Sequence, residues 1–164
     1  MIGKKDLEGK CVKLHESHLY EIEKMIVYSD SLKGVTADRL QGFFHGWPTR
    51  PSPENHLEIL RHSDFVVSAV DNKTGNIVGF ITAISDGILC AYVPLLEVLP
   101  HYQRKGIGSR LVKLMLEKLK HLYMIDIICD KNVRPFYQKL GMTEAGGMIK
   151  RNYENLSGIP LKPL

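Results

Sequence analysis

The alternation of apolar and polar positions in the middle of the chain predicts an antiparallel meander of three strands. The three apolar runs are residues 64–70, 76–84 and 88–98. Residues 71–75 and the pair Asp86–Gly87 separate these runs, and both are typical of the tight turns that join antiparallel strands. Each strand is therefore expected to pair with its neighbour in the sequence.

A helix and a further strand follow the meander. Apolar residues recur at helical spacing over residues 107–122, which predicts a helix with one buried face. Residues 123–129 form a mostly apolar strand. Because strand–helix–strand connections are right-handed, this strand is expected to run parallel to the one over residues 88–98. The pattern as a whole predicts an α/β (α+β) fold with a mixed, mostly antiparallel sheet flanked by helices.

The two ends of the chain carry shorter patterns. Before the meander, they predict a strand over residues 11–14, a helix over 18–28, a helix over 37–44 capped by Thr36, and a helix from Ser52 or Pro53 to His62. After the meander, they predict a short helix over residues 135–140 that ends at Gly141, a last strand or hairpin over 142–153, and an apolar tail over 155–164.

Pro94 lies inside the third run of the meander. A proline cannot donate a hydrogen bond to a neighbouring strand, so it is confined to edges, strand starts and bulges. Strand pairing is therefore expected to fail on one side of this strand near Pro94.

Composition narrows the class of protein. The 164 residues have the length of one domain and suffice to bury a core. The net charge of +4 is modest, no basic block predicts nucleic-acid binding, and no apolar run is long enough to span a membrane. The first six residues, Met1–Asp6, lead into no apolar stretch of a secretory signal, so a cytoplasmic protein is expected.

The cysteines and histidines predict neither disulfides nor a metal site. Cys11, Cys90 and Cys129 are far apart, each in an apolar run, and an odd number argues against a disulfide framework. The seven histidines are scattered. Reduced, buried thiols and no bound metal are the expectation.

The stretch from Glu97 to Leu111 has the composition of a phosphate-binding turn. An apolar run leads into it, an amphipathic helix leads out, and a short basic turn with Gly106 and Gly108 lies between. A helix N-terminus offers unpaired N–H groups and a partial positive charge, and glycine lets the backbone approach a ligand. A phosphate or pyrophosphate is the expected ligand. The alternative is an ordinary strand-to-helix turn whose basic residues serve solubility.

Two motifs resemble one enzyme family. Gln103–Gly108 resembles the Q/R-x-x-G-x-G/A turn with which GNAT N-acetyltransferases bind the pyrophosphate of coenzyme A, and Phe136–Met142 resembles their F-Y-x-k-x-G-F signature. The resemblance spans roughly residues 64–150. It implies one GNAT-like domain whose sheet contains a splayed parallel strand pair with the acyl-CoA in the gap. Residues 1–63 would form the acceptor side and residues 64–154 the acyl-CoA-binding core.

The same resemblance assigns residues to the cofactor and to catalysis. Tyr137 matches the tyrosine whose hydroxyl faces the coenzyme A sulfur, and it is the expected general acid. Alternatively, Tyr137 anchors its helix to the core. Many family members carry asparagine seven residues earlier, where this chain has Asp130, and Asn132 lies two residues further on. The residues expected to contact acetyl-CoA are Val98, Leu99, Gln103, Arg104, Lys105, Gly106, Ile107, Gly108, Ser109 and Asn132.

The general base and the acceptor pocket are less closely specified. Glu97 is a carboxylate at the end of an apolar strand beside the expected cofactor gap, and burial would raise its pKa to a useful value. Alternatively, Glu97 faces solvent or pairs with a lysine. The aromatic loop that contains Phe43, Phe44 and Trp47 either plugs the core or lines the acceptor pocket with Phe44 and Trp47.

The resemblance thus implies an enzyme that transfers an acetyl group from acetyl-CoA to a primary amine in a ternary complex. Two alternatives are a non-catalytic acyl-CoA-binding module on the same fold and a nucleotide-binding domain, and the latter is disfavoured because the turn lacks a third glycine. The acceptor is not specified by the sequence. The C-terminal strand and apolar tail are compatible with a homodimer.

Overall fold

A computed structural model describes residues 25–155, which form a five-stranded mixed sheet with the strand order β1-β2-β3-β4-β5. The first four strands are antiparallel to their neighbours, and β4 and β5 are parallel. The predicted meander and the predicted parallel strand are therefore confirmed. The strands are β1 Ile26–Ser29, β2 Phe65–Asp71, β3 Ile77–Ser85, β4 Cys90–Val98 and β5 Met124–Asp126.

Within residues 26–155, three α-helices and three short 3-10 turns lie between and after the strands. The helices are α1 Pro53–Arg61, α2 Ile107–Lys118 and α3 Arg134–Gln138, and the 3-10 turns are Ala37–Arg39, Pro100–Tyr102 and Tyr153–Asn155. Ser52 caps α1, because its hydroxyl oxygen accepts a hydrogen bond from the Asn55 N–H at 3.2 Å. The start of α1 is therefore where the sequence predicts it. None of the helices in residues 25–155 combines the length and apolar composition needed to cross a membrane.

Two predicted helices before the meander differ from the structure. The helix predicted over residues 18–28 ends at Met25, and Ile26–Ser29, which overlaps its last three residues, is a strand paired with β2. This run contains β-branched and aromatic residues, and pairing with β2 outweighs its helical spacing. The helix predicted over residues 37–44 is only the 3-10 turn Ala37–Arg39, and Thr36 makes no side-chain cap. Gly42 and Phe44 have φ of 84° and 58°, which no right-handed helix can contain.

Two predicted strands near the end of the chain also differ from the structure, one in length and one in existence. The strand predicted over residues 123–129 is shortened to Met124–Asp126. Residues 142–152 contain neither strand nor hairpin. Apart from Met142, residues 141–150 are exposed, and Gly146 and Gly147 add no side chain, so little burial favours a strand there. The strand predicted at residues 11–14, most of the tail and the rest of the first helix lie outside the described residues.

Each face of the sheet buries its own apolar cluster. Helix α2 covers one face, where Ile107, Leu111 and Met115 are at most 1% exposed. Helix α1 and the loop before it cover the other face, where Leu60 and Phe80 are fully buried. The apolar face predicted for the helix over residues 107–122 therefore belongs to the core.

The second cluster contains a buried histidine. His56 on α1 is 1% exposed, and its ring lies 4.5 Å from Phe80, 4.9 Å from Phe44 and 5.1 Å from Phe43 between ring centroids. Within residues 25–155, neither ring nitrogen has a hydrogen-bond partner. Burial lowers the pKa of His56 from 6.5 to about 4.

This histidine predicts a loss of stability at mildly acidic pH. The unfolded chain takes up the His56 proton near pH 6.5 and the folded protein only near pH 4, so stability is full above 6.5 and falls between those values. The free energy of unfolding should drop by about 2 kcal/mol between pH 7 and pH 5 on this account. Urea titrations at both pH values measure the drop. It should shrink in His56→Leu but persist in His62→Gln, which removes an exposed histidine at the C-terminal end of the same helix. An unchanged drop in His56→Leu would contradict the assignment.

Candidate active site

The β4–β5 pair separates where the sequence predicts that pairing fails. The last paired residues are Tyr92 and Asp126, two positions before Pro94. On the other side of β4, the register with β3 shifts so that Val93 and Pro94 lie opposite Ala83 alone. Among the described residues 25–155, β4 beyond Pro94 pairs only with β3, through Leu95–Val98. The β4–β5 pair is therefore splayed, and within this part of the chain the end of β4 has no partner strand on its other side.

The turn after β4 leads directly into the N-terminus of α2. Gly106 is the N-cap residue with φ of 81°, and Arg104 also takes a left-handed φ of 59°. The first helical hydrogen bond runs from the Arg110 N–H to the Gly106 carbonyl at 3.0 Å. The N–H groups that precede it, those of Ile107, Gly108 and Ser109, point along the start of the helix. Residues 103–106 are exposed, so an anion has access to these donors.

Gln103 ties this turn back to the strand. Its side-chain Nε2 donates a hydrogen bond to the Val98 carbonyl at 2.9 Å, and the Leu99 N–H donates to the Val78 carbonyl at 2.9 Å. The backbone groups of Val98 and Leu99 that make these contacts are therefore engaged within the protein. Gln103 holds the turn in place with its side chain, while Arg104 and Lys105 form the exposed tip.

Gly108 lies where three elements meet. A Cβ atom at this position would stand 3.7 Å from Val98 Cγ2 and 3.8 Å from Phe136 Cζ. The end of β4, the first turn of α2 and the helix α3 are thus in contact around a residue without a side chain. This packing brings the Tyr137 helix beside the phosphate turn.

Tyr137 is half-buried on α3. Its ring packs against Phe136 in an edge-to-face arrangement, with 4.9 Å between centroids and 75° between planes. Burial, together with the nearby Cys129 thiol, raises the pKa of Tyr137 to about 12. The phenol therefore keeps its proton at neutral pH. Tyr137 also lines a cavity of about 490 Å³ between the end of β5 and residues 142–148, together with Tyr92, Cys129 and Arg134.

Glu97 makes a contact that the sequence does not indicate. One carboxylate oxygen accepts a hydrogen bond from the Phe44 N–H at 2.8 Å and the other accepts one from the His45 N–H at 3.0 Å. Glu97 is half-buried on the sheet face that the aromatic loop covers, and no lysine is paired with it within residues 25–155. The carboxylate therefore holds the loop at the residue with left-handed φ, Phe44.

The aromatic loop exposes only one of its three rings to solvent. Phe43 and Phe44 are 4% and 2% exposed, so both belong to the core. Trp47 is 44% exposed and packs against Phe44 with 5.2 Å between centroids. Of the two residues expected to line the acceptor pocket, only Trp47 is accessible.

The loop between β5 and α3 carries the remaining candidate. Asp130 and Asn132 are both exposed, and the Val133 N–H donates to the Asp130 carbonyl at 3.0 Å. Arg134 forms an ion pair with Glu144. Within residues 25–155, the Asn132 side chain makes no hydrogen bond to the rest of the protein. Its expected contact with the cofactor stays a prediction.

Sequence reasoning missed two residues that support the turn. Tyr102 donates its hydroxyl proton to Asp71, at 2.6 Å, across 31 positions of sequence. The sequence identifies Asp71 only as part of a turn, and no motif marks Tyr102 as a residue that supports the turn. Their proximity follows from the pairing of β2, β3 and β4.

Comparisons with known proteins place this chain in a family. The model of the acetyltransferase (GNAT) family matches residues 32–142. A solved structure from Deinococcus radiodurans R1, described as a candidate acetyltransferase, is 44% identical and superposes with a TM-score of 0.80 over 83% of this chain and 94% of that one.

Two curated relatives are more distant. The N-acetyltransferase ycf52 of Pyropia yezoensis, itself uncharacterised, is 27% identical over 79% of this chain and 78% of its own. GCN5-related N-acetyltransferase 1, chloroplastic, of Arabidopsis thaliana is 28% identical over 72% of this chain and 61% of its own.

The splayed sheet, the glycine turn at a helix N-terminus and the family match define an acyltransferase domain. The chain belongs to the GNAT family of N-acetyltransferases. The family implies acetyl-CoA as the co-substrate.

Proposed function

We propose that this protein transfers the acetyl group of acetyl-CoA to a primary amine by direct attack in a ternary complex. The observation that carries the proposal is the exposed turn at residues 103–106, which leads into the N-terminal N–H groups of α2 beside the end of β4 that β5 does not pair with. The pyrophosphate would lie on this turn, and the pantetheine arm would follow β4 into the gap. The resemblance that supports these positions is the one carried by Gln103–Gly108.

The chemistry needs one proton acceptor and one proton donor. The amine nitrogen attacks the thioester carbon, a C–N bond forms, and the C–S bond breaks. The proton leaves the amine for a base, and the departing thiolate takes a proton from an acid. Tyr137 is the acid in this proposal, because its phenol has a pKa of about 12 and lines the cavity beside the end of β5. Placing the thioester beside the amine supplies much of the remaining rate enhancement.

Glu97 is the base in this proposal, acting on the amine directly or through a water molecule. Each of its carboxylate oxygens accepts one backbone N–H and retains a further lone pair. The face that carries Glu97 is also the face on which Trp47 is exposed, so the amine would enter between this loop and β4. Glu97 would then both position the loop and receive the proton.

Replacing Glu97 with glutamine should separate these two roles. A glutamine accepts only one of the two N–H groups and cannot take up a proton, so we expect kcat to fall about a hundredfold. Trp47 is the single tryptophan of the chain, so its emission reports the loop. Asp38→Asn, which neutralises a residue of the 3-10 turn Ala37–Arg39 on the acceptor side, is the matched control. An unchanged kcat in Glu97→Gln would overturn the assignment of Glu97 as the base. A changed Trp47 emission in that variant would still show that Glu97 holds the loop.

Isothermal titration tests the proposed function itself. The wild-type protein is titrated with acetyl-CoA, coenzyme A, NAD and ATP, and the expected result is binding of the two coenzyme A species alone. The bound protein is then offered a panel of primary amines while coenzyme A release is followed with a thiol reagent. Folded protein that binds NAD or ATP in preference to coenzyme A would overturn the proposal.

Compartment and assembly stay predictions. The sequence predicts a cytoplasmic protein, and the curated relatives include a chloroplast protein. The homodimer suggested by the C-terminal segment would be measured by sedimentation of the wild-type chain.

A further inference from the structure

The phosphate turn is attached to the sheet by a hydrogen bond that lies outside the motif. Tyr102 is the last residue of the 3-10 turn Pro100–Tyr102 and immediately precedes Gln103. Its hydroxyl donates to Asp71 Oδ2 at 2.6 Å, and its N–H donates to the Leu99 carbonyl at 2.8 Å. The start of the turn is therefore fixed both to β4 and to the end of β2.

Asp71 is itself held rigidly. It is 4% exposed, and its second oxygen, Oδ1, accepts hydrogen bonds from the N–H groups of Lys73 at 2.8 Å and Thr74 at 3.3 Å. Its own N–H donates to the Asn76 carbonyl at 2.9 Å. Both oxygens of this buried carboxylate are thus satisfied, and the residue forms a fixed point in the β2–β3 turn.

The turn that this contact supports is backbone-strained and carries charge. Arg104, two residues after Tyr102, has a φ of 59°, in the left-handed region that residues with a side chain rarely adopt. The ammonium of Lys105 lies 5.3 Å from the centroid of the Tyr102 ring. The phenol ring therefore carries the cation on its face while its hydroxyl is held by Asp71. A conformation of this kind persists only where neighbouring structure determines it.

We propose that Tyr102 and Asp71 are positioning residues for pyrophosphate binding. They hold the tip of the turn, Arg104–Gly106, in the shape that presents Lys105 and the α2 N–H groups to the ligand. This rests on the proposed function, because it assigns the support for the same acetyl-CoA site. It predicts that loss of the support weakens binding of the pyrophosphate part of the ligand and leaves binding of the thioester end unchanged.

Tyr102→Phe tests this assignment by removing one hydroxyl and keeping the ring under Lys105. We expect the Kd for acetyl-CoA to rise about tenfold, the loss of one hydrogen bond to a charged group. The Kd for S-acetylpantetheine, which lacks the pyrophosphate, should stay within twofold when measured by ligand-observed NMR. Tyr153→Phe, at a tyrosine that is 75% exposed, is the matched control.

Asp71 supplies a second variant with a graded expectation. Asparagine can still accept the two backbone N–H groups and can donate to the tyrosine oxygen, so Asp71→Asn should weaken acetyl-CoA binding less than Asp71→Ala does. Thermal melting establishes that each variant is folded.

The outcomes distinguish this proposal from the proposed function. Wild-type protein that binds no acetyl-CoA would overturn both. Wild-type binding that a folded Tyr102→Phe leaves unchanged would overturn the positioning role alone. An equal loss for acetyl-CoA and S-acetylpantetheine would also overturn it, because the effect would then be a general one on the fold.

Discussion

Replacing Gly106 with glutamate is expected to raise the Kd for acetyl-CoA by more than a hundredfold. Gly106 is the N-cap of α2 and adopts a φ of 81°, which a residue with a side chain rarely takes. Its α-carbon stands at the start of the donors that the pyrophosphate needs, and the glutamate carboxylate would compete for the same N–H groups and repel the ligand. Isothermal titration of the folded variant measures the loss.

Gly87→Glu is the matched control for that variant. Gly87 lies in the turn between β3 and β4, its φ is 72°, and no atom would contact a Cβ at either glycine within 4 Å. The two substitutions therefore add the same charge and a similar backbone strain at different places. Gly87→Glu should bind acetyl-CoA as the wild type does. Equal binding by Gly106→Glu and the wild type would show that the ligand phosphates lie elsewhere.

Tyr137→Phe is expected to lower kcat about a hundredfold while the Kd for acetyl-CoA changes little, as the loss of one general acid requires. Phenylalanine keeps the edge-to-face packing against Phe136 and removes only the proton donor. Because the phenol has a pKa of about 12, the wild-type rate should show no fall up to pH 10 that is due to Tyr137. Rates are measured by coenzyme A release with the best amine found for the wild type.

Tyr123→Phe provides the comparison for this variant, since Tyr123 is 85% exposed and lies outside the site. It should retain the wild-type kcat. A Tyr137→Phe protein with wild-type kcat would assign the thiolate proton to another group or to solvent. A variant with weakened acetyl-CoA binding and unchanged kcat would indicate a packing role for the hydroxyl.

Together the two variants separate binding from chemistry. In the proposed site, Gly106 would face the ligand phosphates at the N-terminus of α2, whereas Tyr137 would act near the thioester from α3. Gly108 permits these two helices to meet at the end of β4. A loss of binding in one variant and a loss of turnover in the other would place the two ends of acetyl-CoA at these two positions.

The sequence by itself determined the elements whose signals are local. The meander follows from three apolar runs and two turns, the start of α1 follows from Ser52, and the turn from β4 into α2 follows from its glycines between a strand and a helix. Pro94 indicated the break in pairing because a missing N–H has the same consequence in any fold. These features depend on residues close together in the chain, so periodicity and turn chemistry predict them.

Tertiary structure decided what depends on distant partners. Ile26–Ser29 has the spacing of a helix but pairs with β2, because a strand edge offers it more hydrogen bonds and burial than an isolated helix end does. Residues 142–152 have strand-like runs but no buried surface to pack on, so they form none. Helical and strand propensities contribute less free energy than tertiary packing does, and local periodicity does not predict which distant segments pack together.

The same distinction divides the residues of the site. Tyr137 and Gly106 could be named as candidates because they belong to contiguous motifs, and their roles stay predictions. Glu97 was recognised as a candidate, but its contact with the Phe44 and His45 N–H groups, 53 and 52 positions away, was not. The Tyr102–Asp71 bond was not predicted either. A hydrogen bond between distant residues exists only once the sheet has set the strand register, so the sequence supplies the groups and the fold decides which of them meet.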